Sequence, residues 1–407
     1  MKTHPIDKEL FRRLFDHYET IKEKKIDSYF IPHRQISELL NELSDHKNIQ
    51  TEKIGESVER KEIYSVVIGK GKTKVLAWSQ MHGDEPTATA AIFDLLNFFT
   101  ANDSFSDLKE NILNKLTFHF IPMLNPDGAE KFQRENSFNI DLNRDAARLQ
   151  SDESQLLYEY AEKIQPDFGF NLHDQNSYYT AGRTNNPTAV SLLAPPMDYV
   201  KSINYAREKS MQLIVEIFNV LSIFAPQKVA RYKDDHEPRS FGDNFAKKGI
   251  STILIESGFF KDDHNKDFVR KLNFIAMLAA FQSITEKDYE KIDYTNYFEI
   301  PENNELLFDL LLRNLTLNHN GRNFTVDVGI KRTKKLDVQT KQFFYEGTIA
   351  EIGDLSFFYG IEEHDFHEFE IKSDKLLSAD DDANFRLSRN GITEFEIKNG
   401  FLNKHAG

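Results

Sequence analysis

The sequence predicts an α/β protein with a mixed, largely parallel central sheet, helices on both faces and a small β-rich domain at the C-terminal end. Four short apolar runs lack helical spacing and are typical of buried strands: residues 74–79, 116–124, 167–172 and 251–255. Three helices with core-facing apolar residues separate or follow them: residues 86–99, 203–221 and 265–281. Strands that alternate with helices of this length imply crossover connections, and hence largely parallel pairing.

The two ends of the chain differ from this central region. Residues 7–24 and 34–45 predict amphipathic helices, and we expect them to pack on the main domain rather than to form a lid or an oligomer contact. From about residue 300, alternating patterns predict short strands, with turn signals at Asn320-Gly321, Asn390-Gly391 and Asn399-Gly400. The predicted parts are an N-terminal helical segment (1–49), a main domain (50–287) and a β-rich C-terminal domain (298–407).

Composition argues against several classes of protein. The 407 residues carry a formal net charge of -14, whereas nucleic-acid binding needs concentrated Lys and Arg, so we expect no nucleic-acid partner. The chain contains no cysteine and therefore neither disulfides nor thiolate metal ligands. The first twenty residues lack the apolar core of a signal peptide, and no run approaches membrane-spanning length. We therefore expect a cytoplasmic protein with no membrane partner; the sequence leaves the oligomeric state open.

Polar groups with complementary chemistry follow all four predicted strands. In order, they are His82 with Glu85, Asn125-Pro126-Asp127-Gly128, His173 with Asp174, and Glu256. In open α/β sheets, ligands bind beyond the carboxyl ends of the strands. A single polar residue after a strand is ordinarily a loop residue, but four such groups predict a functional site. Because Asn-Pro-Asp-Gly is favourable turn chemistry, we interpret that stretch as a structural turn beside the site.

Three of these residues form a set suited to a metal ion. His82 and Glu85 are three residues apart and can point at the same spot, whereas His173 comes from a distant strand. Imidazole and carboxylate ligands suit zinc above all, and a catalytic zinc site commonly has three protein ligands and one open position. A His-x-x-Glu spacing alone also arises by chance, so the prediction depends on the complete set.

Further residues complete a family pattern. Arg134, Asn143 and Arg144 add positive charge and hydrogen-bond donors, and Glu256 adds a second carboxylate. With these residues the chain resembles the zinc carboxypeptidase family (M14, the carboxypeptidase A-like metallopeptidases). The resemblance covers roughly residues 50–285 and keeps the family's order of motifs. These motifs are His-x-x-Glu, Asn-Pro-Asp-Gly, Asp-Leu-Asn-Arg, a strand-terminal His and a strand-terminal Glu.

The resemblance implies a zinc site and a catalytic base. His82, Glu85 and His173 would hold one zinc ion per chain, as a His₂Glu set does in carboxypeptidase A. Zinc lowers the pKa of bound water toward neutrality, and Glu256 would remove the proton and pass it to the leaving nitrogen. Arg134, nine residues before the Asp-Leu-Asn-Arg asparagine, would polarise the scissile carbonyl and steady the oxyanion.

The resemblance also implies how substrate is recognised. Asn143 and Arg144 would grip a free C-terminal carboxylate, for which a guanidinium fork is well shaped. As an alternative, Arg144 would form a salt bridge with Asp141 or Asp145. Tyr232 lies 24 residues before the proposed base, close to where the family commonly has a tyrosine that closes over substrate, but without a matching local pattern. The implied partner is a peptide or peptide-like substrate with a free carboxylate.

Two departures from the family concern the surroundings of the site. His173 is followed by Asp174 and Gln175, where digestive members have a small hydroxyl residue, so we expect the neighbouring subsites to differ. The loop 231–243 carries mixed charge and is expected to border the side-chain pocket. This mixture of charges predicts a pocket that is selective neither for aromatic side chains nor simply for basic ones.

Three hypotheses for function follow from these residues. The first is a zinc metallocarboxypeptidase that hydrolyses a peptide or peptide-like amide bond next to a free carboxylate. The second is a zinc-dependent deacylase of N-acyl amino acids, which needs the same carboxylate recognition. The third is a catalytically silent binding protein on the same fold. The presence of Glu256 and of all three metal ligands argues against the third.

Overall fold

The structure is a computed structural model and describes residues 7–373 and 375–405. The helices are α1 (Lys8–Ile21), α2 (His33–Leu43), α3 (Thr87–Thr100), α4 (Ser106–Lys115), α5 (Pro126–Lys131), α6 (Asp152–Ile164), α7 (Tyr205–Phe224), α8 (Phe241–Lys247) and α9 (Asp267–Glu286). The strands of the first three quarters of the chain are β1 (Ile49–Glu56), β2 (Glu62–Gly69), β3 (Thr73–Trp78), β4 (Leu116–Ile121), β5 (Phe168–Asp174), β6 (Tyr179–Ala181), β7 (Val190–Leu193), β8 (Val229–Arg231) and β9 (Ser251–Ser257). The remaining strands are β10 (Asn303–Glu305), β11 (Leu307–His319), β12 (Arg322–Asp337), β13 (Gln342–Gly353), β14 (Tyr359–Asp365), β15 (Glu370–Lys372), β16 (Phe385–Arg389), β17 (Ile392–Lys398) and β18 (Phe401–Lys404).

The four strands predicted from the sequence lie side by side at the centre of an eight-stranded sheet. They pair in parallel in the order β4-β3-β5-β9. Antiparallel neighbours flank this centre, with β2 beside β4 and β7 beside β9. The predicted mixed, largely parallel sheet is therefore confirmed. Because the central strands are parallel, their carboxyl ends meet at one edge of the sheet, where the polar groups described above follow.

Helices cover both faces of this sheet. Successive residues of β3 alternate between two apolar cores, with Val75 and Ala77 in one and Leu76 and Trp78 in the other. The first core contains α3, α7 and α9, and the second contains α6 and α8. Among the described helices, none is long and apolar enough to cross a membrane.

The N-terminal helices α1 and α2 bury their apolar sides in the first core. A buried ion pair ties the chain that follows α1 to the rest of this region. Arg270 on α9 donates to both carboxylate oxygens of Asp94 on α3, at 2.8 and 2.6 Å. It also donates to the backbone carbonyls of Glu23 and Ile26, and Tyr18 donates to the same carboxylate. With its charges paired and hydrogen-bonded, this group is a specific anchor for the N-terminal segment.

The chain divides into two compact units. Unit 1 consists of Met1–Asn176 and Thr188–Asn303, and unit 2 consists of Ser177–Pro187 and Asn304–Gly407. Residues 177–187, which the sequence analysis assigned to the main domain, thus belong to unit 2, where β6 pairs with β10. No local pattern indicates this pairing, because the partners are more than a hundred residues apart. The three-part domain division stays a prediction.

Unit 2 is β-rich, as predicted, but three of its strands are longer than the sequence indicates. Strands β11, β12 and β13 contain 13, 16 and 12 residues. Irregularities in the pairing add an extra residue within β11 and within β13, and each shifts the alternation of side chains in mid-strand. The three predicted turns each join neighbouring strands as two-residue hairpin loops: Asn320-Gly321, Asn390-Gly391 and Asn399-Gly400. Both residues of each turn have positive φ, which Asn and Gly tolerate best.

Candidate metal centre and active site

The loop after β3 carries His82 and Glu85 and packs against the start of α5. Asn125 donates from Nδ2 to a backbone carbonyl of this loop at 3.1 Å and accepts at Oδ1 from the Gly128 backbone N–H at 2.9 Å. The Asn-Pro-Asp-Gly stretch is therefore the capped first turn of a short helix rather than an isolated turn. A Cβ at Gly83 would lie 2.0 Å from the Gly128 carbonyl carbon. Only glycine permits this close approach of loop and helix.

The predicted metal ligands converge at the carboxyl edge of the sheet. His82 Nδ1 lies 2.8 Å from Glu85 Oε1, and His173 Nδ1 lies 2.8 Å from Glu85 Oε2. The two imidazole Nδ1 atoms are 3.1 Å apart. All three residues are buried, and they form a group of His and carboxylate side chains that could hold a metal ion.

The donor set fits a zinc ion. Ligand atoms about 2.0–2.2 Å from a tetrahedral zinc ion lie roughly 3.3 Å from one another, close to the separations observed here. Burial alone raises the pKa of Glu85, but the charges and hydrogen bonds of His82 and His173 hold the pKa well below its usual value. Burial lowers the pKa of His173. A charged carboxylate beside a neutral imidazole is the ionisation state that metal binding requires.

Asp141 connects the metal group to Arg134. Its Oδ1 lies 3.1 Å from His82 Nε2, and its Oδ2 accepts from Arg134 Nε at 3.0 Å. A carboxylate on the outer nitrogen fixes the imidazole tautomer and leaves Nδ1 free for a metal. Burial lowers the pKa of His82, but the charge of Glu85 and the hydrogen bonds to Asp141 and Glu85 outweigh it and raise the pKa to about 9. Metal binding at neutral pH therefore displaces a proton from His82.

Arg134 reaches the ligand atoms themselves. Its Nη1 lies 3.1 Å from His82 Nδ1 and 3.4 Å from Glu85 Oε1. The side chain is 39% exposed, so part of the guanidinium remains open to solvent. A cation in this position can donate to an oxygen that develops negative charge beside the metal group.

Glu256 lies beside the metal group on the strand next to His173. The parallel register of β5 and β9 places these two residues directly opposite each other. Burial and the negative charge of Glu85 raise the pKa of Glu256 to about 8, and the positive charges of His82 and Arg134 offset only part of this shift. A carboxyl group with a pKa near neutrality is well suited to accept and return a proton.

Asp174 forms a second polar cluster behind the metal group. Its backbone N–H donates to Glu85 Oε2 at 3.1 Å, and its carboxylate accepts from Tyr29 Oη and Thr87 Oγ1, each at 2.5 Å. Lys266 Nζ lies 3.2 Å from the same oxygen. Asp174 therefore anchors the metal-ligand strand to three other parts of unit 1.

The predicted carboxylate-binding pair lies next to this group. Asn143 Nδ2 is 3.4 Å from His173 Nε2, and its Oδ1 accepts from a backbone N–H at the start of α8. Arg144 donates to the Asn143 carbonyl at 2.8 Å. Its ion-pair partner is Glu237, with Nε 3.4 Å from Oε2, rather than Asp141 or Asp145 as the alternative interpretation expected. The charged loop 231–243 thus does approach the predicted substrate-binding arginine.

Among the predicted site residues, Tyr232 is the one whose position relative to the metal group says least about its role. It follows β8 at the edge of the sheet, and its backbone N–H donates to the Leu192 carbonyl at 2.8 Å. Strand β7 lies between β8 and β9, which carries Glu256. A role of Tyr232 in closing over substrate stays a prediction.

Part of the chain matches a family of known proteins. The family model of zinc carboxypeptidases, Peptidase M14, matches residues 36–194, which include all three metal ligands. This part of the chain, residues 36–194, is similar to the M14 zinc carboxypeptidase family. Partial matches to individual carboxypeptidases support this similarity at the level of sequence. Members of this family are zinc hydrolases, so the family and the buried ligand group agree on the kind of metal and of chemistry.

Similarity to individual family members is partial. "Probable carboxypeptidase 2" of Trichophyton verrucosum is 30% identical over 125 residues, which are 30% of this chain and 23% of that protein. Carboxypeptidase D of Homo sapiens is 27% identical over 144 residues, 31% of this chain and 10% of that protein. The matched part thus spans less than a quarter of these curated relatives. A metallo-carboxypeptidase from Burkholderia cenocepacia shares the fold, with a TM-score of 0.53 at 20% identity over 64% of this chain and 71% of that one.

Two residues that contact this group of side chains were not predicted to do so from the sequence. Asp141 was considered only as a salt-bridge partner of Arg144, although its position two residues before Asn143 is a usable signal for a carboxylate near the site. Its side chain also caps the Asn143 backbone N–H, at 2.8 Å. The contact between Tyr29 and Asp174 has no local signal at all, because the two residues are 145 positions apart.

Proposed function

We propose that this protein is a zinc-dependent metallocarboxypeptidase that hydrolyses a peptide or peptide-like amide bond next to a free C-terminal carboxylate. The observation that carries the proposal is the buried group of His82, Glu85 and His173, with Glu256 opposite His173 in the register of the neighbouring strand. One zinc ion bound by the three ligands would polarise a carbonyl and make water acidic enough to attack near neutral pH. The remaining residues supply proton transfer, orientation and charge.

Each of these residues has a defined task in the proposed reaction. Glu256 takes the proton from the attacking water and returns it to the departing amine, so its carboxyl group ends the cycle as it began. Arg134 donates to the substrate oxygen as that oxygen gains negative charge. Its bond to Asp141 holds the guanidinium toward the metal group. Desolvation and the negative charge of Glu85 raise the pKa of the half-buried Glu256, which favours the protonated form that the second proton transfer needs.

Asn143 and Arg144 select the substrate. A guanidinium has five N–H donors, and the contacts of Arg144 to Asn143 and Glu237 use two of them, so others are available for a carboxylate. The distance of 3.4 Å from Asn143 to His173 keeps this carboxylate site adjacent to the metal group. The bond that is cut is therefore the last amide before the terminal carboxylate. The cytoplasmic location stays a prediction.

Replacing Arg144 with Ala tests this recognition. We expect KM for substrates with a free C terminus to rise far more than kcat falls, and the preference over amidated analogues to shrink. Loss of a charge-assisted pair should cost roughly 2–5 kcal/mol of binding. Steady-state kinetics on a free peptide and its amidated twin measures both effects.

The matched control is Arg148→Ala, which removes an exposed arginine four residues further along the same segment. This variant should keep the kinetic constants of the parent. If Arg144→Ala still rejects amidated peptides as strongly as the parent does, Arg144 does not bind the carboxylate.

A further inference from the structure

Three charged residues lie together at the edge of the proposed carboxylate site. Glu237 accepts from Arg239 through both oxygens, Nε to Oε1 at 2.9 Å and Nη2 to Oε2 at 2.8 Å. The same Oε2 lies 3.4 Å from Arg144 Nε. One carboxylate is thus shared unequally between two guanidinium groups, with Arg239 making the shorter, two-point contact.

The backbone fixes this arrangement. Residues 237–240 form a tight turn, in which the Ser240 N–H donates to the Glu237 carbonyl at 2.9 Å. The Ala146 N–H donates to the Arg239 carbonyl at 3.0 Å, and the Phe241 N–H donates to Asn143 Oδ1 at 3.0 Å. These two bonds dock the turn on both sides of Arg144 and so keep the three charged side chains within reach of one another.

A carboxylate beside Arg144 competes with the substrate's terminal carboxylate for the same guanidinium. The hydrogen bond from Arg239 is the main cause that lowers the pKa of Glu237, to about 2, so Glu237 is charged at neutral pH. The substrate's terminal carboxylate needs the same guanidinium that faces Glu237. If Glu237 paired fully with Arg144, substrate would first have to break that pair. The observed geometry avoids this cost because Arg239 occupies both oxygens of Glu237.

We propose that Arg239 is a positioning residue that keeps Glu237 from pairing fully with Arg144 and so leaves Arg144 available to bind the carboxylate of the substrate. The proposal rests on the proposed function, since it takes Arg144 as the carboxylate-binding residue. The trio has a net charge of +1, which leaves one positive charge for the substrate. Side-chain exposures of 57% for Arg239, 29% for Glu237 and 39% for Arg144 show that the trio is open to solvent, where such a carboxylate arrives.

A double-mutant cycle tests the proposal on the zinc-loaded full chain. Arg239→Gln should raise KM for a free C-terminal peptide with little change in kcat, because Glu237 then moves onto Arg144. Coupling between charged groups in contact corresponds to about 2- to 150-fold, and we expect an effect in this range. Adding Glu237→Gln to Arg239→Gln should bring KM back to within about twofold of the parent. Arg148→Gln, a matched exposed arginine, should leave KM unchanged.

Each outcome decides between supporting and overturning the proposal. Rescue of Arg239→Gln by Glu237→Gln supports it, because a merely structural defect would not be repaired by a second substitution. Failure of rescue overturns it, as does a higher KM for Glu237→Gln alone, which would mean that Glu237 orients Arg144. If Arg144→Ala reduces the carboxylate preference but rescue fails, only this proposal is wrong. If Arg144→Ala leaves the preference intact, the proposed carboxylate recognition is wrong, and this proposal falls with it.

Discussion

Replacing Glu256 with Gln should lower kcat by at least about 100-fold and by as much as about 10⁴-fold, the range typical of a lost general acid–base group. The substitution keeps the shape of the side chain and its ability to hydrogen-bond, but an amide cannot accept the proton. Zinc content and KM should stay close to those of the parent, because the carboxyl group is not needed as a metal ligand. Single-turnover kinetics and metal analysis on the same sample measure both properties.

Glu216→Gln is the matched control for this experiment. Glu216 lies on α7 outside the metal group, and burial together with the charge of Asp288 raises its pKa to about 7. The control therefore removes a carboxyl group that is also shielded and also titrates near neutrality, yet it should leave kcat unchanged. Turnover of the Glu256→Gln variant within tenfold of the parent, or loss of its zinc, would show that Glu256 is not the base.

Replacing His173 with Ala should remove most of the bound zinc. His82 and Glu85 are close in sequence and cannot complete a three-ligand site alone. Even loss of a group that only supports a ligand weakens metal binding by about 10- to 100-fold, so loss of the ligand itself should exceed about 100-fold. Zinc content after dialysis against a chelator measures the effect.

A histidine outside the metal group provides the comparison. His119→Ala removes the imidazole of β4 that contacts Tyr160 at 2.9 Å, two strands away from His173 in the sheet. This variant should retain one zinc ion per chain through the same dialysis. Stoichiometric zinc in the His173→Ala variant would contradict the assignment of the three ligands.

The central sheet could be predicted because its signals are local. The run Val75–Trp78 is apolar on both faces, as a strand buried between two layers of helices must be. A polar residue placed after such a strand lies at the carboxyl edge of the sheet. This is why the sequence could predict that His82 and His173, 91 positions apart, lie close together. The register of neighbouring strands then determines that Glu256 lies opposite His173.

The contacts that tune the site could not be predicted, because they depend on packing between distant parts of the chain. Asp141 approaches His82 because the segment that follows α5 lies against the loop after β3. Glu237 meets Arg144 because backbone bonds dock its turn beside Asn143, and no periodicity indicates that bond. The assignment of residues 177–187 to unit 2 likewise depends on a strand pairing that spans over a hundred residues.

The most direct test of the account is hydrolysis by the zinc-loaded protein of two peptides that differ only in a free or an amidated C terminus. Mass spectrometry of the products, over a panel of terminal residues, identifies the bond that is cut. The account predicts release of the terminal residue from free peptides, abolished by chelation and restored by zinc, with amidated twins cleaved at least about 30-fold more slowly. Equal rates for both members of each pair, or no release from any free peptide in the panel, would contradict it.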